Sequence, residues 1–136
     1  MTQKYLDGLT YQVIGAAIEV HKELGPRLLE SIYEKCLVQV LKEKGLTVSY
    51  QQKMPVFFHG IYLECELRYD IMVEESIIVE IKAIDYLLPI HEAQLLTYLK
   101  LTQKPKGILL NFNCVNIIKE GQKTLVTELF SKLPKY

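Results

Sequence analysis

The chain has 136 residues, and 16 basic residues balance 16 acidic ones for a formal net charge of zero. That length suits one domain with its own core, so residues 1–136 are read as a single unit, and zero net charge excludes a protein that coats nucleic acid by bulk electrostatics. Charges interrupt every apolar stretch before the roughly 18 to 20 residues that cross a bilayer, and no basic-then-apolar leader opens the chain. No membrane partner is therefore expected, and the expected location is the cytoplasm.

The first apolar-periodic segment runs from about Leu9 to Leu24, with Val13, Ala16, Ala17 and Val20 at helical spacing, and stops at Gly25-Pro26. A second helix is expected from Leu29, Ile32, Tyr33, Cys36, Leu37, Val40 and Leu41, which fall on one helical face, with Gly45 as its stop. After Thr47 the period changes. A strand at about Met54 to Phe58, a turn at His59-Gly60 and a long strand from Ile61 to Val73 follow, the last in strict alternation. Ile77 to Ile84 reads as a buried strand, Pro89 to Leu101 as a helix with proline in its first turn, and Gly107 to Phe112 as another short buried strand. The fold class expected is α/β (α+β), with helices packed on a mixed sheet that begins as an antiparallel three-stranded meander.

Cys36, Cys65 and Cys114 are scattered and odd in number, and His21, His59 and His91 are equally dispersed. Neither set has the spacing of a zinc site, so any metal is expected on oxygen. The charges are unevenly distributed. Residues 64–92 hold eight acids against Arg68 and Lys82, whereas residues 100–136 hold seven lysines against Glu120 and Glu128. An acidic centre beside Lys100, Lys104, Lys106, Lys119 and Lys123 suits a cation-loaded site with a phosphate-binding rim, and a solvated surface produces the same split.

Two charges need a reason: Glu80 and Lys82 interrupt a β-branched run in which an idle charged pair is costly to bury. In an antiparallel hairpin the facing positions have a constant sum. If Val73 pairs with Ile77 across Glu74-Glu75-Ser76, Asp70 lies opposite Glu80 and Arg68 opposite Lys82. Facing carboxylates repel unless a proton, a basic partner or a cation relieves them. A divalent cation, Mg²⁺ or Mn²⁺, is the functional answer, with Lys82 steadying an attacking hydroxide or transition-state charge.

The stretches Val13 to Pro26, Leu28 to Glu34 and His91 to Lys100, taken together, resemble the GxxExxY proteins of the PD-(D/E)XK nuclease superfamily, over about residues 10 to 120. The resemblance implies a restriction-endonuclease-like core and metal-dependent cleavage of DNA or RNA. It implies that Asp70 and Glu80 are metal carboxylates, Lys82 the catalytic lysine and Glu30 a further acidic ligand on the early helix. Gln94 and Tyr98 become a site-facing pair that binds substrate. One departure is Arg27, which stands where the family has the first glycine of its motif. Beside these roles, Glu30 also suits a helix N-terminus, Gln94 and Tyr98 suit a surface pair one turn apart, and His91 suits either substrate binding or a first-turn surface position.

Two functions are expected to compete: a metal-dependent nuclease, and a non-catalytic module that keeps the fold to bind nucleic acid or a protein. A domain this small with apolar helices and little basic surface is also expected to self-associate as a two-fold homodimer.

Overall fold

A computed structural model describes the whole chain, Met1 to Tyr136. Helix α1 covers Gln3–Leu24, starting earlier than the apolar period suggested. The Thr2 hydroxyl accepts from the Tyr5 amide at 3.0 Å and caps it, and Leu6 and Leu9 extend the buried stripe through Val13, Ala16, Ala17 and Val20. Helix α2 covers Glu30–Glu43 and buries Tyr33, Leu37, Val38 and Leu41.

Between these helices the turn is braced by Tyr33. Its hydroxyl donates to the Gly25 carbonyl and accepts from the Leu28 amide, and its ring stacks on Phe112 at 4.5 Å between centroids. Within that turn Arg27 holds φ at 74°, the left-handed region glycine enters freely and other residues enter at a cost. The turn therefore keeps its glycine-type shape with arginine in it.

Five strands form the main sheet in the order β1 (Val48–Tyr50), β4 (Ile71–Val73), β5 (Ile77–Lys82), β6 (Lys106–Asn111) and β7 (Gln122–Val126). Only β5 and β6 run parallel, joined by the crossover helix α3 (Pro89–Thr102); the other neighbours are antiparallel. The two short helices α4 (Ile117–Glu120) and α5 (Glu128–Ser131) flank β7. The α+β architecture with a mixed sheet is the one expected.

The long alternating strand from Ile61 to Val73 does not form, and the meander changes accordingly. The main-sheet meander is β1, β4 and β5, and a separate hairpin of β2 (Val56–Phe58) and β3 (Ile61–Leu63) is inserted between β1 and β4. Ile61 and Leu63 are exposed, whereas Ile71 and Val73 are fully buried, so the alternation spans two environments. Only the stretch with helices against it became core. Arg68 does not face Lys82 either. It forms an isolated bridge with Lys53, donates to the Gln51 carbonyl at 2.7 Å and reaches Glu66 at 3.1 Å.

Each sheet face has its own core. One packs α1 and α2 against Ile71, Val73, Ile77, Val79, Ile81, Ile108 and Leu110. The other packs Leu95, Tyr98 and Leu99 of α3 against Met72, Ile78 and Leu109. Gly107 sets the approach of α3, since a β-carbon there would lie 3.0 Å from Leu95 Cγ and Cδ1. Glu80 belongs by alternation to the face of Ile78, the one α3 covers.

Candidate functional site

Strand register comes first, because it decides which side chains meet. Val73 pairs with Ile77, Met72 with Ile78 and Ile71 with Val79, the register expected across the three-residue loop Glu74-Glu75-Ser76. Asp70 is the next residue out from β4, and its backbone N–H donates to Glu80 Oε1 at 2.8 Å. Its own carboxylate turns back onto β5, where Oδ2 accepts from the Ile81 amide at 2.8 Å. Asp70 and Glu80 are thus adjacent, each held partly by the other's strand.

Glu80 is 4% exposed. Burial first, and the charge of Asp70 second, push its carboxyl up to about 8, against the weaker lowering pull of the Asp70 amide and Lys82. With no cation beside it, a carboxyl in this position holds its proton at neutral pH.

Lys82 closes β5, and its ammonium donates to Gln94 Oε1 at 3.3 Å. Gln94 and Tyr98 lie one turn apart on α3, so they share the face that looks onto this strand. Burial, then the charges of Glu80 and Asp70, raise the Tyr98 phenol above its ordinary range, so it stays a protonated donor. On this side of the sheet Glu80, Lys82, Gln94 and Tyr98 form one group.

Asp70 also faces a second group. A cavity of about 170 Å³ is lined by Glu30, Ser31, Glu34, Gln51, Asp70 and Ile81. Glu80 and Lys82 are not in its lining, so Asp70 is the junction between the cavity and the α3 side. Glu30 Oε1 accepts from the Ala83 amide at 3.3 Å, which ties the first turn of α2 to the chain just beyond Lys82. The carboxylate at the head of α2 therefore serves the site's scaffold as well as its helix.

Among the lining residues not singled out from the sequence, Gln51 and Glu34 act directly on Asp70. Gln51 donates from its amide to Glu34 Oε1 at 2.6 Å and to Asp70 Oδ1 at 3.2 Å, while its backbone N–H donates to the Asp70 carbonyl at 2.9 Å. It does so from a left-handed backbone, φ 51°, a strain that persists only where the surroundings enforce it. Glu34 has its carboxyl raised by burial, with the charges of Asp70 and Glu30 adding to that and the Gln51 bond opposing it. Its signal was legible, since it stands four residues after Glu30 on one helix face. Gln51 had none, because a lone glutamine after a short strand looks like any loop residue.

Other expected contributors lie elsewhere. His91 accepts from the Leu88 amide at 2.9 Å through Nδ1 and caps α3. Lys106 is 4% exposed, bonded to Asp7 at 2.8 Å and set over the Phe130 ring, so it is no phosphate contact. Lys123 reaches Glu92 at 3.6 Å.

No three His, Cys, Asp or Glu side chains converge into a ready-made metal cluster. The donor chemistry still fits a hard divalent cation, which takes few carboxylates and completes its shell with water. Asp70 and Glu80 supply adjacent oxygen donors, and burial together with the Asp70 charge raises the Glu80 carboxyl, a cost that a bound cation would offset.

A family model described as the PD-(D/E)XK nuclease superfamily matches residues 7–125. No curated protein and no solved structure matches the chain significantly. No helix is long and apolar enough to cross a membrane.

Proposed function

The chain belongs to the PD-(D/E)XK nuclease superfamily, and we propose from that premise that it is a phosphodiesterase dependent on Mg²⁺ or Mn²⁺ that hydrolyses nucleic acid. The observation that carries the reading is the contact of Asp70 with Glu80 across neighbouring strands, at 2.8 Å, which sets two carboxyl groups side by side with Glu80 buried. Asp70 and Glu80 would hold the ion. When bound, such an ion would supply Lewis-acid polarisation of the phosphodiester and activation of water.

The remaining steps belong to the chain's own side chains. The Lys82 ammonium, held by Gln94, lies on the same strand face as Glu80 and offsets negative charge that develops on the phosphorus oxygens. Tyr98, a protonated donor, and the Gln94 amide orient a phosphate from the α3 side. Glu30, Glu34 and Gln51 line the other side of Asp70, and the Gln51 amide bridges the Asp70 and Glu34 carboxylates. Within the superfamily, the GxxExxY group accounts for the parts of the α1–α2 turn: Tyr33 braces it, Glu30 leaves it towards the site, and Arg27 takes the glycine's backbone shape.

One observation favours the competing reading of a non-catalytic binding module: Lys106 and Lys123 are engaged within the chain, which leaves less of a phosphate-binding rim than the sequence suggested. The decisive experiment measures Mg²⁺ and Mn²⁺ stabilisation together with cleavage of single- and double-stranded DNA and RNA. Wild type should show both, Asp70→Asn should lose both, and Lys82→Ala should keep stabilisation while losing cleavage. A wild type that neither gains stability nor cleaves above the Lys82→Ala background would hand the fold to the binding module.

A further inference from the structure

The two parallel strands, β5 and β6, end side by side, and the crevice outside the carboxyl ends of such strands is where open sheets receive ligands. A cavity of about 310 Å³ lies there, with Arg27, Asp85, Tyr86, Asn113 and Glu120 among its lining residues. That volume is at the small end of the roughly 300 to 1,000 Å³ of small-molecule sites, so it suits one nucleobase better than a large cofactor. Tyr86 follows Lys82 by four residues, a span of at most about 14 Å of chain, which keeps the cavity beside the Asp70 and Glu80 pair.

A buried polar side chain fixes the loop that carries Tyr86. Asn111, 3% exposed, accepts from the Ile84 amide at 3.1 Å and donates to the Ile84 carbonyl at 2.9 Å. On either side of Ile84, Glu30 holds the Ala83 amide and the Asn113 amide reaches the Asp85 carboxylate at 3.5 Å. Ala83, Ile84 and Asp85 are therefore all tied down. Tyr86 comes next, 78% exposed, and its ring stacks on no other ring of the chain. An aromatic ring held in water by a fixed loop is a preformed platform, because little ordering remains to oppose a flat ligand that stacks on it.

The charges select the ligand. Asp85 and Glu120 repel phosphate from the cavity itself, yet their carboxylates can accept from the N–H and NH₂ groups on base edges, as the Asn113 side chain also can. Arg27 belongs to none of the chain's ion pairs, so its guanidinium is free for a phosphate at the rim. A base paired in a duplex is stacked on both sides and reaches such a cavity only by leaving the helix.

On the nuclease reading above, we propose that this cavity is a nucleotide subsite in which Tyr86 stacks the base of an unpaired nucleotide near the scissile phosphate. The substrate is then single-stranded DNA or RNA rather than duplex. Stacking on Tyr86 and the Arg27 contact supply affinity that the engaged Lys106 and Lys123 do not.

Fluorescence anisotropy in a chelator tests this without cleavage, using DNA and RNA single strands of about 12 nucleotides and the duplexes of the same sequence. Wild type should bind a single strand at least about tenfold more tightly than its duplex, and the tighter of the DNA and RNA strands identifies the sugar preferred. Tyr86→Ala should weaken single-strand binding roughly tenfold and keep the wild-type melting temperature with and without Mn²⁺. Tyr86→Phe, which retains the ring, should bind as wild type does. A fluorescent adenine analogue that dims on stacking should be quenched by wild type and Tyr86→Phe but not by Tyr86→Ala. Arg27→Gly should lower the dependence of log affinity on log salt by about 0.7, the share of one phosphate on a single strand. Equal affinity for duplex, single-strand binding unchanged in Tyr86→Ala, or a wild type that binds no single strand overturns the subsite, even if the protein cleaves nucleic acid in Mn²⁺. Tyr86-dependent binding by a protein that cleaves nothing would uphold the subsite and end the nuclease reading instead.

Discussion

Asp70 and Glu80 hold each other's strand. The Asp70 amide donates to the Glu80 carboxylate at 2.8 Å, and the Asp70 carboxylate accepts from the amide that follows Glu80, at Ile81, also at 2.8 Å. Asp70 is thereby fixed by backbone rather than by a basic partner, while Glu80 is left buried, beside a like charge, with its proton affinity raised.

That arrangement makes metal-free stability depend on pH. The Glu80 carboxyl moves from 4.5 to about 8 on folding, so between those values the folded state binds more protons than the unfolded one. The contribution from this group is fully present below about pH 4.5, declines as pH rises and is gone above about 8, a total on the order of a few kcal/mol. Denaturant unfolding in a chelator across that window should show the decline, and Glu80→Gln should flatten it. A wild-type curve no steeper than that of Glu80→Gln would mean that Glu80 is ionised without cost.

Gln51 should act as a positioning residue for Asp70. Gln51→Gly removes the side chain that bridges Glu34 and Asp70 and relieves the left-handed backbone at the same time, so its effect on folding is small. Mn²⁺ affinity, read by thermal shift, should fall roughly tenfold, as for other residues that orient a metal ligand. Gln51→Asn, tolerant of the same φ but too short to bridge, should weaken Mn²⁺ alike. Undiminished affinity in both variants would make Gln51 a loop residue only.

Much of this site was legible in the chain because it is built from local rules. The odd loop after Val73 fixed which residues face which, and it needs only the pleat and a three-residue connection. The charges of Glu80 and Lys82 inside a β-branched run were informative because burial makes them costly. What stayed hidden depends on tertiary layout. The alternation from Ile61 to Val73 carries no mark at the point where the chain leaves the helix-covered sheet, so one strand was read where there are two in different sheets. Lys106 looked like part of a basic rim because its partner, Asp7, is 99 residues away. Gln51 was invisible for the same reason, since its meaning lies in Glu34 and Asp70.

The pair of Lys106 and Asp7 should respond unequally to mutation. Lys106 has a side chain only 5% exposed, whereas that of Asp7 is 65% exposed. Lys106→Met leaves Asp7 in water and replaces a buried ammonium by an apolar chain of similar length, so stability should change by less than about 1 kcal/mol. Asp7→Ala strands the buried ammonium, and the loss should be larger, about 1 to 3 kcal/mol. Chemical denaturation of the two variants decides it; an Asp7→Ala variant as stable as Lys106→Met would show that the ammonium finds water instead. Neither change should alter the proposed nucleic-acid cleavage.

Arg27→Gly should stabilise the protein. At φ 74° an arginine carries a left-handed backbone penalty of about 1 kcal/mol that glycine avoids, and glycine's extra freedom in the unfolded chain returns part of that gain. The net expectation is a few tenths to about 1 kcal/mol, or a rise of a few degrees in melting temperature for a chain of this size. The change leaves the brace intact, because Tyr33 contacts the Gly25 carbonyl and the Leu28 amide rather than Arg27. Glu30 should therefore keep its bond to the Ala83 amide, and Mn²⁺ affinity should not move. Arg27→Ala separates the two contributions: it deletes the same long side chain but retains the β-carbon, so it should give none of the stabilisation. If Arg27→Ala and Arg27→Gly stabilise equally, the cost at this position lies in the arginine side chain and not in the backbone.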